Sequence, residues 1–209
     1  LTEQSAVGMK LTLRDNMAFE EHTDIAEKIR TDESAPLRVF SLDGSPCDCV
    51  IVAIDGGLRS LAPEIRPWLC ISGINRGPNL SIDVLHSGTV SAAREASLYG
   101  LPSLSVSLAT YSHQDYSQSI EATLALVERL SHLVTAEPSN ILRPEGSRMR
   151  PIRGTGTNSL RSWFMQGNMF LNLNIPENWN GTFQTVPLGA RWYHNATDMI
   201  DQKSTGSGL

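Results

Sequence analysis

The chain reads PWLCISGINRGPNLSIDVLHSGTVSAAREASLYGLPSLSVSL from Pro67 to Leu108, and the fold class can be inferred from this segment. Its start, residues 67–72, is a short apolar run bounded by proline and glycine, which is typical of a buried parallel strand. An alanine-rich segment with helical spacing begins at Thr89 and ends at Gly100, a normal helix stop. Residues 101–108 form the next apolar run. The order of strand, loop, helix and strand predicts a parallel α/β sheet.

The segment before this stretch allows two interpretations. Residues 49–54 are rich in β-branched side chains and on propensity alone would form a buried strand. The flanking residues favour a helix, because Ser45 is a good N-cap, Pro46 suits the first helical position and Asp48 suits the positive end of the helix dipole. We therefore predict a helix from Pro46 to Leu61, weakened by two glycines at 56–57.

Further elements extend the alternation on both sides. Residues 9–14 and 37–42 are predicted strands, and residues 169–175 alternate apolar and polar side chains as a strand does. Residues 119–135 form the clearest amphipathic helix. The apolar face of that helix consists of Ile120, Leu124, Val127, Leu130 and Val134.

These elements suggest three regions. Residues 1–136 form an α/β core, residues 137–168 form an Arg/Gly-rich loop and residues 169–209 begin with a C-terminal strand. The arginine-rich part of the loop, residues 143–161, could cover a site, bind a partner or lie in solvent.

The composition excludes several classes of function. Of the 209 residues, 40% are hydrophobic and 19% are charged, which is enough apolar mass for a packed core. The net charge of −5 offers no basic surface for a nucleic acid polymer or an anionic membrane. No apolar run is long enough to span a bilayer, and the three cysteines form no CxxC pair, so we expect a cytoplasmic protein with reduced thiols.

The loop between the first strand and its helix is the candidate site, because ligands of parallel sheets bind beyond the carboxyl ends of the strands. Ser87, Gly88 and Thr89 at the helix start offer hydroxyls and N–H groups that suit a phosphate. Asn75 and Asn79 offer carboxamide oxygens that suit magnesium or manganese. The same residues could instead form a plain helix cap and ordinary turns.

Several motifs in order resemble the SurE family of survival proteins. They are ISGINRGPN at 71–79, HSGTVSAARE at 86–95, GLPSLSVS at 100–107, GSPCDCV at 44–50 and EQSA at 3–6. The resemblance covers about residues 1–110, with weaker continuation at 171–176 and 189–195.

The resemblance implies a Rossmann-like α/β fold and a metal-dependent phosphatase that hydrolyses nucleoside 5′- and 3′-monophosphates. It implies that Ser5 and Asn75 bind a divalent cation, magnesium or manganese. Together with the helix start described above, we expect Ser87, Gly88 and Thr89 to bind the phosphate. Asn79 would contact the substrate or a ligand residue. It also implies homodimers or homotetramers, with residues 169–209 beginning a swapped oligomerisation segment.

The family's paired aspartates, which bind the metal and carry the central catalytic work, have no match in this sequence. We therefore expect that this chain lacks the family's Asn-Asp-Asp-Gly segment and its late C-terminal strand, and we assign no catalytic residue. The alternative is a nucleotide-binding or oligomerising remnant without catalysis. A dinucleotide oxidoreductase is excluded, because no Gly-x-Gly-x-x-Gly follows a predicted strand.

Overall fold

A computed structural model describes residues 17–32, 34–132 and 157–190, with only the backbone described for 157–159. Three parallel strands, β3 (Cys70–Arg76), β4 (Ser103–Leu108) and β5 (Leu171–Ile175), form a sheet in the order β3-β4-β5. In this sheet Leu104 lies opposite Ile71 on one side and Leu171 on the other. The predicted parallel sheet, flanked by helices in a Rossmann-like α/β fold, is confirmed.

The remaining elements precede, connect or flank these strands. The first of them are β1 (Phe19–Glu21), α1 (Thr23–Ile29) and β2 (Phe40–Leu42), and β1 pairs with β2 in a separate antiparallel ribbon. The others are α2 (Pro46–Val52), α3 (Leu58–Leu61), α4 (Asp83–His86), α5 (Gly88–Leu98), α6 (Ser117–Ser131) and α7 (Thr157–Met165). No helix in the described residues is long and apolar enough to cross a membrane.

The central strand β4 is buried on both faces, and the two faces differ in chemistry. Leu104 and Val106 are 0% exposed and pack with Ala122 of α6 and Ile175 of β5. The alternate positions, which point to the opposite face of a strand, carry the buried serines Ser103, Ser105 and Ser107. Helices therefore cover the sheet on two sides, with an apolar layer under α6 and a small polar layer facing α5.

Helix α5 packs closely on the polar face of β4 because its inward side chains are small. Val90, Ala93 and Ala96 are fully buried. Ser103 Oγ donates a hydrogen bond to the Ala93 carbonyl at 2.7 Å, which joins the strand directly to the helix backbone. The predicted helix is confirmed, and it begins at Gly88.

The helical prediction for residues 46–61 is also confirmed, with an interruption. Ser45 Oγ accepts a hydrogen bond from the Asp48 N–H at 3.3 Å, and Asp48 Oδ2 accepts one from the Ser45 N–H at 2.7 Å. This capping box starts α2. A single wide turn at 53–57 then separates α2 from α3, and within it Gly56 has a φ of +113°, which favours glycine.

Helix α6 is where predicted, but its buried face is not the predicted one. Ile120 and Leu124 are 50% and 64% exposed, whereas Ser119 and Ala122 are fully buried. Small side chains let the helix axis lie closer to the sheet. Ser119 and Ala122 therefore face the sheet, and the bulkier Ile120 and Leu124 face away from it. Leu130 is buried as predicted, and Val134 lies outside the described residues.

Other boundaries differ from the sequence predictions. Strand β3 begins and ends later than the predicted 67–72, and α4 lies within the predicted loop. Helix α7 lies within 137–168, where we expected irregular structure. The strand predicted at 9–14 lies outside the described residues, and the three-region division stays a prediction.

The capping box of α2 gives a test of the helical assignment. Ser45→Ala removes the side-chain acceptor of the Asp48 N–H, so we expect the free energy of unfolding to fall by about 1 kcal/mol. Urea unfolding of the full-length protein measures this change. Ser60→Ala, at an exposed position of α3, is the control and should leave the free energy of unfolding nearly unchanged. Equal values for the two variants would contradict the stabilising role of the cap.

Candidate functional site

The carboxyl ends of the three parallel strands lie side by side at one edge of the sheet. Asn75 and Arg76 at the end of β3 pair with Ser107 and Leu108 of β4, and Leu108 pairs with Ile175 of β5. Loops that leave this edge carry the candidate residues. Ligands of open α/β sheets bind at such an edge.

Asn75 and the first turn of α5 meet at this edge. Thr89 Oγ1 donates a hydrogen bond to Asn75 Oδ1 at 3.3 Å. The side-chain Nδ2 of Asn75 donates to the Gly77 carbonyl at 2.9 Å and to the Arg76 carbonyl at 3.3 Å. These two hydrogen bonds direct the carboxamide oxygen of Asn75 toward the helix. The structure thus brings together a predicted metal ligand and a predicted phosphate ligand.

The start of α5 is built by a cap and a close helix contact. Ser87 Oγ accepts a hydrogen bond from the Val90 N–H at 3.1 Å, and Ser87 is buried. A Cβ added to Gly88 would lie 3.1 Å from Pro46 Cγ, so glycine lets α5 begin against α2. The first N–H groups of a helix lack acceptors within it, and the positive end of the dipole favours an anion there. A contact of Ser87, Gly88 or Thr89 with phosphate stays a prediction.

Asn79 links the loop after β3 to strands β4 and β5. It is 5% exposed, and its Nδ2 donates to Ser107 Oγ at 2.8 Å. Its N–H donates to Asn174 Oδ1 at 2.8 Å, and its carbonyl accepts from Asn172 Nδ2 at 2.9 Å and from Asn174 Nδ2 at 3.2 Å. These bonds fasten the loop after β3 to β4 and β5. A substrate contact by Asn79 stays a prediction.

The sequence reasoning missed the roles of Asn172 and Asn174. Their spacing carried the signal, since residues two apart in a strand share one face. Asn172 is exposed and Asn174 is half-buried, and two carboxamides on one strand face offer donors and acceptors that suit polar partners. The loop after β3 supplies those partners.

A second group missed from the sequence joins the loop after β4 to Glu177, two residues after the end of β5. The Glu177 carboxylate accepts hydrogen bonds from the hydroxyls of Ser112 and Thr110 and lies 3.8 Å from His113 Nε2. The hydrogen bonds from Ser112 and Thr110 hold the pKa of Glu177 below its ordinary value. Nothing local in the sequence indicated this contact, because its partners are separated by 65 residues along the chain.

The described residues supply part of a metal site. Asn75 Oδ1 is a hard oxygen donor of the kind that magnesium and manganese prefer. Ser5 lies outside the described residues, and within them no group of three or more His, Cys, Asp or Glu side chains could hold a metal ion. Asn75 therefore fits as one neutral ligand, and metal binding at Asn75 stays a prediction.

The cysteines do not offer a nucleophile. Cys47, Cys49 and Cys70 are free thiols, as predicted. Burial raises the pKa of Cys70 to about 11 and also raises the pKa values of Cys47 and Cys49. All three stay protonated near neutral pH, and a thiol is a weak nucleophile.

Comparison with known proteins identifies one family. The family model of survival protein SurE matches residues 1–197. A 5′-nucleotidase SurE from Synechococcus sp. (strain JA-3-3Ab) is 41% identical over 129 residues, which are 62% of this chain and 45% of the relative. A 5′-nucleotidase SurE from Heliobacterium modesticaldum is 32% identical over 200 residues, which are 94% of this chain and 58% of the relative. The chain spans about half the length of the curated relatives it matches.

The fold has a counterpart among solved structures. The crystal structure of the SurE protein from Aquifex aeolicus matches with a TM-score of 0.52 and 24% sequence identity. The match covers 82% of this chain and 51% of that chain. It supports the α/β architecture.

The buried link through Asn79 gives a stability test. Asn79→Ala keeps the backbone hydrogen bonds but leaves the fully buried Ser107 hydroxyl without this partner, so we expect a loss of about 1–3 kcal/mol in the free energy of unfolding. Urea unfolding of the full-length protein measures it. Gln184→Ala removes an exposed carboxamide and is the control. If both variants unfold at the same urea concentration, the link contributes no stability.

The Glu177 contact gives a pH test. A carboxyl whose pKa is lowered by folding stabilises the protein above its unfolded pKa, and that contribution is lost as the pH falls through the folded pKa. We therefore expect Glu177→Gln to be less stable than the wild type at pH 7, and we expect this difference to shrink as the pH falls through the folded pKa of Glu177. Denaturant midpoints at several pH values measure the difference. A difference that does not depend on pH would contradict this role of the carboxylate.

Proposed function

The chain belongs to the family of survival protein SurE, and from this membership we propose that it forms the core of a phosphomonoesterase that hydrolyses nucleoside 5′-monophosphates. Relatives that carry the name 5′-nucleotidase SurE support the substrate class. We extend the proposal to nucleoside 3′-monophosphates on the resemblance of the site motifs.

One contact carries this proposal, the hydrogen bond of 3.3 Å between Thr89 Oγ1 and Asn75 Oδ1. It joins a carboxamide at the end of a parallel strand to the positive end of an 11-residue helix. A phosphate at the helix start would therefore lie beside a ligand residue for a cation. Such neighbouring sites suit the hydrolysis of a phosphomonoester, because both stabilise negative charge on the phosphoryl oxygens.

Each described residue of the site has a defined task in this proposal. The N–H groups at the start of α5 bind phosphate oxygens, and the Ser87 cap fixes the helix start. The Thr89 hydroxyl orients Asn75 Oδ1 in the free protein and turns to a phosphate oxygen when the cation takes Asn75 Oδ1. The hydrogen bonds from Asn75 Nδ2 hold that side chain in place before the substrate binds. We assign no described residue as the group that activates the attacking water.

Members of this family are generally metal-dependent, and we propose a divalent cation, magnesium or manganese, with Ser5 and Asn75 among its ligands. Such a cation, when bound, withdraws charge from the phosphoryl oxygens and orients the attacking oxygen. Carboxylate ligands are required beyond these two neutral oxygens for useful affinity. We expect the rest of the protein to supply them.

The experiment is phosphate release from 5′-AMP and 3′-AMP by the full-length protein, with magnesium or manganese and then with EDTA. We expect release that EDTA abolishes. Nucleotide binding by calorimetry without any phosphate release would favour the alternative of a remnant without catalysis. A homodimer or homotetramer and a cytoplasmic location stay predictions.

Variants at the central contact test the site itself. Asn75→Ala should lower kcat/KM about a hundredfold or more, because the oriented oxygen is lost and the Thr89 hydroxyl loses its acceptor. Thr89→Ala should also lower it, whereas Thr89→Ser keeps the hydroxyl and should stay near the wild type. Circular dichroism of each variant serves as the folding control. Wild-type rates in a folded Asn75→Ala variant would remove this assignment.

A further inference from the structure

Tyr111, in the loop after β4, presents an aromatic ring at the edge of the sheet that holds the candidate site. Its phenol end occupies the space in which a side chain at Gly77 would begin, since a Cβ added to Gly77 would lie 2.6 Å from Tyr111 Oη. Gly77 also has a φ of +97°, which few other residues adopt. Any side chain at position 77 would therefore clash with the Tyr111 ring, and only glycine fits there. Even so, Tyr111 remains 68% exposed, so much of its aromatic surface faces solvent.

The backbone that carries Tyr111 is held on both sides. The hydroxyls of its two neighbours, Thr110 and Ser112, donate hydrogen bonds to the Glu177 carboxylate. An Arg76 Nη2 group donates to the Tyr111 carbonyl at 3.4 Å. These contacts join the loop to the ends of β3 and β5. The ring is therefore placed by the sheet edge before any ligand arrives.

A short series of contacts leads from Tyr111 to the start of α5. The ring lies against Gly77, the Gly77 carbonyl accepts from Asn75 Nδ2 at 2.9 Å, and Asn75 Oδ1 accepts from Thr89 Oγ1 at 3.3 Å. Asn75 and Gly77 thus connect the exposed ring to the predicted phosphate site. A nucleotide with its phosphate on α5 has its base extended away from that helix, and an aromatic surface within reach favours stacking because every base has a π-face.

We propose that the ring of Tyr111 is the stacking surface for the base of the nucleoside monophosphate, and that it contributes to substrate affinity without selecting one base. This inference rests on the proposed function, because it places the phosphate at the start of α5. Glu177 is then a positioning residue, since it holds the loop through Ser112 and Thr110. Arg76 helps to hold the same loop through the Tyr111 carbonyl.

The test compares substrates with and without a base in the full-length protein. Tyr111→Ala should raise KM for 5′-AMP about tenfold, the loss expected for one stacked base. It should change KM for ribose 5-phosphate, which has the same phosphate and sugar but no base, by less than about twofold. Tyr111→Phe keeps the ring and should behave as the wild type with both substrates. Leu124→Ala removes an exposed apolar side chain from α6 and is the matched control.

The outcomes separate this inference from the proposed function. An equal loss with both substrates, or no loss with either, would overturn the stacking role. If the wild type releases no phosphate, the proposed activity fails, and calorimetry with 5′-AMP and ribose 5-phosphate then decides the stacking role alone. Weaker binding of 5′-AMP only, in Tyr111→Ala, would support it, and absence of binding to the wild type would overturn it. Should Tyr111→Ala fail to fold, Tyr111→Leu keeps the bulk without the π-face and gives the same comparison.

Discussion

Three serine hydroxyls are buried along β4, and each of them needs a hydrogen-bond partner. This requirement determines which elements pack against β4. Ser103, Ser105 and Ser107 share one fully buried face of this strand, where an unpaired hydroxyl would be costly. Their partners are the Ala93 carbonyl of α5, Asn172 Oδ1 of β5 and Asn79 Nδ2 of the loop after β3. Each partner belongs to a different element that surrounds the site. One polar strand face thus places the helix, the neighbouring strand and the loop together.

Much of the fold was predictable because its signals are local. The caps at Ser45 and Ser87 and the helix stop at Gly100 each act within a few residues, so the sequence reveals where α2 begins and where α5 begins and ends. Asn75 and Thr89 were predicted as site residues, and the structure places them in contact. Their tasks in catalysis came from the family resemblance and were not apparent from the spacing alone.

The parts that were not predictable depend on distances between elements. Periodicity selected Ile120 and Leu124 for the buried face of α6 because it ranks side chains by hydrophobicity, whereas the sheet contact also selects for small size at Ser119 and Ala122. The loop contact of Glu177 joins segments far apart in sequence, and no local pattern reports it. Tertiary proximity of this kind has no signature in a single sequence.

Because β4 is buried on both faces and paired on both edges, we expect it to be the last part of the sheet to unfold. Its backbone amides and carbonyls pair with β3 on one side and β5 on the other, and its six residues are all buried. Solvent reaches amides in such a strand only when neighbouring elements separate, so hydrogen exchange there reports global unfolding. The loop that carries Tyr111 lies at the surface, so we expect its amides to exchange faster than those of β4. The candidate site therefore rests on the part of the sheet that we expect to open last.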